Sequence, residues 1–386
     1  MTERLSALLR ADADAPDVPP VDHAAIPGRG RQARTRRRTT MFLTAAAVPA
    51  VVGTGTALAL NGSGSPDRDG KATDSIASET PSHGIVAYGA GSTVVVDGVT
   101  ATIPDTLHSL HYTSVGVLTR SNPHDGASDG SGPESLTLVA ADGTTTDLGT
   151  IPEGVGPATD PDERVYALAE KSGDGFRAVV RDATTGEEVS SVPLPDLPMS
   201  YWPVPPLALD GDVVYAGFEQ EAYAVNWRTG EMQPATGLGG GILEVRGGLA
   251  LDHGEEIGEG GALDMVISVV DAATGASALV VPLEEGEYGS GSLSPDGKYL
   301  RFTRDGMSGN GEYSEPDSVH IYDVATRERV TLVGDPYGWG WTSGGFAFSV
   351  SGNELTVCDP ATGACETEAG PGVGQNLRLG GNAYES

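Results

Sequence analysis

An all-β fold, a propeller of seven four-stranded blades with six or eight as alternatives, is the fold class this sequence predicts. Three observations carry the prediction. The first is a turn that recurs: Asp182-Ala-Thr-Thr-Gly186, Asn226-Trp-Arg-Thr-Gly230, Asp271-Ala-Ala-Thr-Gly275, Asp323-Val-Ala-Thr-Arg327 and Asp359-Pro-Ala-Thr-Gly363. The second is its spacing. Steps of 44, 45, 52 and 36 residues separate the first turn residues, a period suited to blades of four short strands. The third is composition: 55 Gly and 26 Pro in 386 residues suit many strands joined by tight turns.

The turn has a mechanism. The side-chain oxygen of Asp or Asn closes an Asx-turn, and Gly supplies the positive φ that ends it. Met265–Leu283 shows the unit most clearly, an apolar strand, the Asp271 turn and a second apolar strand. Three short strands, 85–89, 93–98 and 99–103, open the folded part. Six blades follow at 104–151, 152–195, 196–237, 238–286, 287–334 and 335–370. The opening unit is one strand short, and Asn376–Leu379 is expected to supply it, closing the ring and removing exposed sheet edges. The propeller is thus expected over 83–381.

Ahead of it the chain changes character. Residues 2–10 carry Leu5, Leu8 and Leu9 on one helical face, but so short a helix does not hold alone in water. Residues 1–40 are therefore expected to be a largely disordered cytoplasmic arm, free to engage a cytoplasmic protein partner. Arg29, Arg31, Arg34, Arg36, Arg37 and Arg38 then precede 41–60, twenty residues without a charge. That length suits a single membrane-spanning helix, and the arginines place the N-terminus in the cytoplasm. The alternative is a cleaved export signal ending at Ala57-Leu58-Ala59, with the protein secreted. Either way the propeller is expected outside the membrane, tethered in the first case by the flexible linker 61–82. The net charge is −31 although residues 1–40 carry +3, so the rest of the chain is strongly acidic. Such a surface repels nucleic acid.

The strand–Asp-x-x-Thr-Gly–strand unit, with Ser294-Pro-Asp-Gly-Lys-Tyr-Leu300 at a turn, resembles the WD-repeat propellers and the Tol-type extracytoplasmic propellers over about residues 84–381. It lacks their Gly-His pair and most of their Trp-Asp pairs, so the resemblance implies the architecture and no particular branch. The whole layout is similar to single-pass actinobacterial propeller proteins. An arginine run ahead of the span is also shared with some anti-sigma factors, which implies, as an alternative, a transmembrane regulator whose arm binds a sigma factor.

Few residues promise chemistry. Cys358 and Cys365 flank the last repeat's turn where another blade has Val270 and Ser277, in register for a cross-strand disulfide. Closing so short a loop contributes about 2.5 kcal/mol. Gly126-Ala-Ser-Asp-Gly130 matches a nucleophile-elbow pattern in the wrong context, a polar loop. His108 and His111 have a metal-like spacing only on a helix, and this stretch reads as extended. The Asp305–Glu312 loop lacks the alternating ligands of a calcium loop. No catalytic residue, metal site or cofactor is expected. The aromatics Tyr201, Trp202, Tyr288, Tyr337, Trp339 and Trp341 fall just ahead of the first strand of three blades, where loops lead into the channel. They are the ligand-binding candidates, with packing between blades as the alternative. Trp227, inside a turn, reads as a solvent-side packing residue. The expected function is a non-enzymatic, membrane-tethered module binding a protein or cell-envelope ligand on one face. A propeller-fold hydrolase or lyase is the other alternative, and it needs a carboxylate or histidine cluster in the channel.

Overall fold

The computed structural model describes residues 83–382 except 125–131, 200–202, 239–243, 258–262, 284–286, 308–312 and 315–317. The side chains of 253–257, 263–265, 287, 288, 304–307, 313 and 314 also lie outside the description. The expected arm, span and linker precede the described residues, as do the alternatives of signal cleavage and a partner-binding helix.

Seven sheets form in chain order. Blade 1 begins with β1 (Ala87–Ala90), β2 (Thr93–Val96) and β3 (Val99–Thr102). Blade 2 holds β4 (Thr106–Thr113), β5 (Gly116–Asn122), β6 (Glu134–Val139) and β7 (Thr145–Ile151). Blade 3 holds β8 (Ala158–Thr159), β9 (Val165–Ser172), β10 (Gly175–Asp182) and β11 (Glu188–Pro193). Blade 4 holds β12 (Leu207–Asp210), β13 (Val213–Gly217), β14 (Ala222–Asn226) and β15 (Met232–Pro234). Blade 5 holds β16 (Val245–Arg246), β17 (Leu249–Ile257), β18 (Leu263–Asp271) and β19 (Ser277–Pro282). Blade 6 holds β20 (Glu287–Leu293), β21 (Tyr299–Met307), β22 (Tyr313–Ser314), β23 (Ser318–Asp323) and β24 (Arg329–Val333). Blade 7 holds β25 (Trp339–Trp341), β26 (Ala347–Ser351), β27 (Glu354–Cys358) and β28 (Cys365–Ala369), and β29 (Arg378–Leu379) returns to blade 1. The ring has seven blades, the number read from the sequence. The long step to Asp323 is explained by β22, a short strand that pairs with the far end of β21.

The repeated turn behaves as its chemistry requires. In the Asp182, Asn226, Asp271, Asp323 and Asp359 turns the backbone N–H four residues on closes onto the carbonyl of the first turn residue, as in Gly275 N to Asp271 O at 2.7 Å. The carboxylate meanwhile accepts from Thr274 N and Thr274 Oγ1, which holds the Asp271 carboxyl below its usual range. Gly186, Gly230, Gly275 and Gly363 end these turns at φ near +70°, and Arg327 takes the same left-handed conformation at +64°. Cys358 and Cys365 stand opposite each other across β27 and β28 and form the expected disulfide.

Adjacent blades share apolar interfaces. Val214, Val225 and Trp227 of blade 4 pack with Val180 and Val192 of blade 3, and Trp339 and Trp341 of blade 7 pack with Val319 and Ile321 of blade 6. A polar belt joins the same blades beside the inner strands. Asp160 accepts from Gly211 N at 2.6 Å, and Asp210 accepts from Gly247 N and Gly248 N at 2.9 and 2.7 Å. Ser343 N donates to Ile85 O while Ile85 N donates to Ser343 Oγ, linking blade 7 to blade 1.

Closure is made by β29, the innermost strand of blade 1. Arg378 and Leu379 pair with Gly89 and Tyr88. Gly380 then donates to Ala87 O and accepts from Trp341 N, so one residue holds blades 1 and 7 together. A side chain at Gly380 would meet the Tyr112 hydroxyl at 2.3 Å, which leaves only glycine there. Removing residues 371–386 is expected to lower the thermal midpoint sharply or to give insoluble protein, because it exposes the inner edge of β1 and the inner face of blade 7. An unchanged melting curve would refute this closure.

Candidate functional site

A polar cluster gathers side chains of β4, β5 and β6 of blade 2 with others from the start of blade 5. β4 carries a bulge between Leu107 and Ser109, which leaves His108 out of the ladder with β5. Bulges of this kind re-aim a side chain. His108 Nδ1 is 2.8 Å from Glu134 Oε1, and Arg120 Nε donates to Glu134 Oε2 at 2.6 Å. Glu134 is fully buried. Burial pushes its carboxyl up, but the His108 hydrogen bond and the Arg120 charge outweigh it, so the group lies below its usual range. It is a carboxylate held by two partners.

Further along β4, a hydrogen bond joins Ser109 Oγ and His111 Nε2 at 2.9 Å. That is the distance of a nucleophile and its base. The electrostatics deny the role. Desolvation first, then the charges of Arg120 and Arg246, lower the His111 pKa to about 3. A base that weak does not take a hydroxyl proton near neutral pH. The carboxylate that would orient such an imidazole is bonded to His108 and Arg120 instead.

Arg246 of β16 reaches past blade 4. Its Nη1 donates to Thr159 O of β8 at 2.6 Å, and blades 3 and 5 are not neighbours. Beside it Glu244, 3 % exposed, accepts from Leu293 N of blade 6 at 2.8 Å. Burial raises the Glu244 pKa to about 7, against the pull of Arg246, the Leu293 hydrogen bond and Arg301. Arg301 Nη2 donates to Asn382 Oδ1 at 2.6 Å, tying the C-terminal segment to blade 6. Among the described residues no group of three His, Cys, Asp or Glu is placed to hold a metal ion.

The aromatic candidates divide. Tyr201 and Trp202 lie outside the described residues, and Tyr288 is described only as backbone, the second residue of β20. Tyr337 sits in a short 3-10 turn, 60 % exposed. Trp339 and Trp341 need correction: they lie within β25, not ahead of it, and are buried at 5 % and 0 % exposure. The reason is the alternation of Trp339-Gly340-Trp341, which sends both rings to the blade 6 side. Gly340 presents its bare face to Leu379, whose side chain a Cβ there would meet at 2.9 Å. Trp341 Nε1 donates to Ser292 Oγ of blade 6. These two rings are packing residues. Trp227 also differs from expectation. It is buried at 4 % exposure, donates to Gly211 O and carries the Arg228 guanidinium over its ring. The pattern 126–130 lies among residues not described, and the 305–312 loop falls outside the described side chains.

Sequence reasoning missed Arg120, Glu134, Glu244 and Arg246. Arg120 lies inside a strand and Glu134 at the start of one, a signal visible at Thr119-Arg-Ser121 and Pro133-Glu-Ser135, while Glu244 and Arg246 flank Val245 of β16. Their convergence rests on pairings between distant segments.

The chain matches no protein-family model and no curated protein. Solved structures similar to it include the propeller domain of Cps50 (Swd1) from Myceliophteria thermophila, at 15 % identity over 73 % of this chain and 92 % of that one, TM-score 0.40. The WD40 domain of Toxoplasma gondii coronin is 9 % identical over 68 % and 69 %, TM-score 0.34. Hydrazine synthase of Kuenenia stuttgartiensis is 17 % identical over 66 % and 76 %, TM-score 0.41.

Two substitutions separate packing from surface. Trp341→Ala is expected to cost about 3–5 kcal/mol of folding stability by chemical denaturation, and Tyr337→Ala to change it by less than about 0.5 kcal/mol. A second pair tests the axial charges. Because the folded Glu244 binds its proton more tightly than the unfolded one, its contribution is present below pH 4.5 and is lost as pH rises towards 7. His111 acts oppositely, losing stability as pH falls from 6.5 towards 3. Glu244→Gln retains the acceptor for Leu293 N. Its stability relative to the parent is therefore expected to grow by roughly 3 kcal/mol between pH 4.5 and pH 8. A gap that stays constant with pH removes the titration from Glu244.

Proposed function

We propose that this chain is a non-enzymatic binding or scaffold module, anchored by residues 41–60 with the propeller outside the membrane, that takes a protein or cell-envelope ligand on one face of the ring. The observation that carries the reading is the state of the axial cluster. The pairing in this cluster with the distance of a nucleophile and base, Ser109 with His111, is desolvated and stands beside cations, and both strip the imidazole of its basicity. Glu134 is neutralised by its own partners. Such a cluster fixes and recognises; it does not turn over a substrate.

The address is supported by different features. The bond between Cys358 and Cys365 persists in an oxidising compartment. The arginine run before an uncharged stretch of twenty residues favours a cytoplasmic N-terminus. Tyr337, exposed where the chain leads into blade 7, is the described aromatic that offers a flat contact surface, with Tyr201, Trp202 and Tyr288 as further candidates.

Two readouts test the reading on the full chain in membranes. Alkylation of unfolded, unreduced protein is expected to find no free thiol, and an impermeant protease added to intact spheroplasts is expected to digest the chain beyond residue 61. Two free thiols in a protected propeller would overturn the address. Purified protein is expected to leave a panel of activated esters intact. Hydrolysis that disappears in Ser109→Ala would overturn the non-enzymatic reading.

A further inference from the structure

The folded part is overwhelmingly acidic, with 13 Lys and Arg against 45 Asp and Glu between residues 83 and 386. One cluster reverses this balance. Arg120, Arg246 and Arg301 gather there around two carboxylates, Glu134 and Glu244. His111 lies within the field of Arg120 and Arg246, and Glu244 within that of Arg246 and Arg301, so Arg246 links the two halves of the cluster. An excess of positive charge in a partly desolvated place is costly unless something anionic accompanies it. Glu244 offsets little of it, since burial keeps its proton on until about pH 7.

The hydrogen-bonding inventory points the same way. Arg120 spends Nε and Nη2 on Glu134 Oε2. Its Nη1 lies beside Gly156, where an added Cβ would come into van der Waals contact with it at 3.7 Å. Arg246 spends Nη1 on Thr159 O and sets Nε 3.9 Å from Glu244. Neither Arg120 Nη1 nor Arg246 Nη2 has a protein partner among the described residues. His108 Nε2 is buried in the same cluster and also lacks one. His108 itself is 1 % exposed, so water does not reach it freely. The arginine side chains, by contrast, keep 11 % and 19 % exposure and are reachable from the channel.

We propose that the channel binds a small oxyanion, a carboxylate or a phosphate group, between Arg120, Arg246 and the Ser109–His111 pair. Guanidinium amino groups suit such an oxygen because they donate in a fixed plane and stay charged at every relevant pH. The Ser109–His111 pair spends one of its two protons on its own hydrogen bond and offers the other as a neutral donor that fixes the orientation of the anion. The inference deepens the binding reading by naming a ligand class for the channel, and rests on it only for the channel being a place of binding and not of turnover.

The test uses the full chain in detergent at pH 6.0, where Glu244 keeps its proton. Its thermal midpoint is followed while sodium phosphate, or in a separate arm sodium acetate, is added at an ionic strength held constant with sodium chloride. A saturable rise in either arm is the expected result, and the arm with the lower half-saturation tells phosphate from carboxylate. Arg246→Gln is expected to weaken half-saturation about tenfold or more, since a hydrogen bond to a charged group contributes at least about 1.5 kcal/mol. Arg329→Gln, on the exposed outer strand of blade 6, is expected to leave it unchanged. If Arg246→Gln does not fold, the phosphorus resonance of phosphate replaces it as the readout: broadening by the parent protein, reversed by acetate, supports the site. A linear shift shared by the parent and Arg246→Gln, or a flat response with no broadening, overturns the site. That failure leaves the thiol and ester readouts of the binding reading untouched.

Discussion

The structure depends on one small piece of chain, the two-residue strand Arg378–Leu379. A blade is a twisted sheet whose faces are covered only by the blades on either side, so an open ring leaves two faces and an inner edge bare. Two ladder pairs, with Gly89 and Tyr88, are little backbone to hold a ring, since each hydrogen bond contributes about 1 kcal/mol. The strength comes from what surrounds them. Leu379 is buried at 2 % exposure, which adds roughly 2 kcal/mol. Gly340 and Gly380 allow blade 7 and Tyr112 of blade 2 to close over it. Three blades thus converge on a short strand that glycine makes accessible to them.

Around the remaining interfaces a different device does the joining. Asp160 and Asp210 each end an inner strand and accept from the first glycine turn of the next blade. Asp296 lies beside Gly345 of blade 7 but accepts from Ser294 Oγ and Lys298 N within its own turn. A carboxylate gains most from backbone N–H donors it can reach without its own backbone moving, and a glycine turn presents them. The belt therefore sets the angle between blades while the apolar faces behind it, Trp227 and Trp341 among them, supply most of the burial energy.

What the sequence disclosed follows this division. The blade count, the turns, the Cys358–Cys365 pairing and the closing strand were legible because each is local or repeats. A turn needs five adjacent residues, and five similar copies average out the noise of any one. The axial cluster was not legible. His108, Arg120 and Glu134 lie on three different strands, and Arg246 comes from a blade on the far side of the ring. Nothing in the neighbours of Arg246 announces that it will bond Thr159, 87 positions earlier. The tryptophans failed for a smaller reason. β25 starts at Trp339, so residues expected on a loop sit on a strand, where alternation decides burial.

The contrast between an acidic exterior and a cationic axis is physically consistent. At about 0.15 M salt, exposed charges act over roughly 8 Å, so the carboxylates on outer strands hardly reach the channel, while partly buried arginines are screened far less. The acidic surface and the axial cations are therefore nearly independent fields. The first opposes self-association and the approach of polyanions. The second acts only on what has already entered, and favours a compact anion over an extended one. Burial raises the Glu244 pKa against that field, and lowers the His111 pKa together with it: the acid holds its proton until about pH 7, and the base refuses one. Arg246 sits between them, bonded past blade 4 to blade 3, so the same guanidinium that ties blade 5 to blade 3 opposes the shift of Glu244 and adds to that of His111.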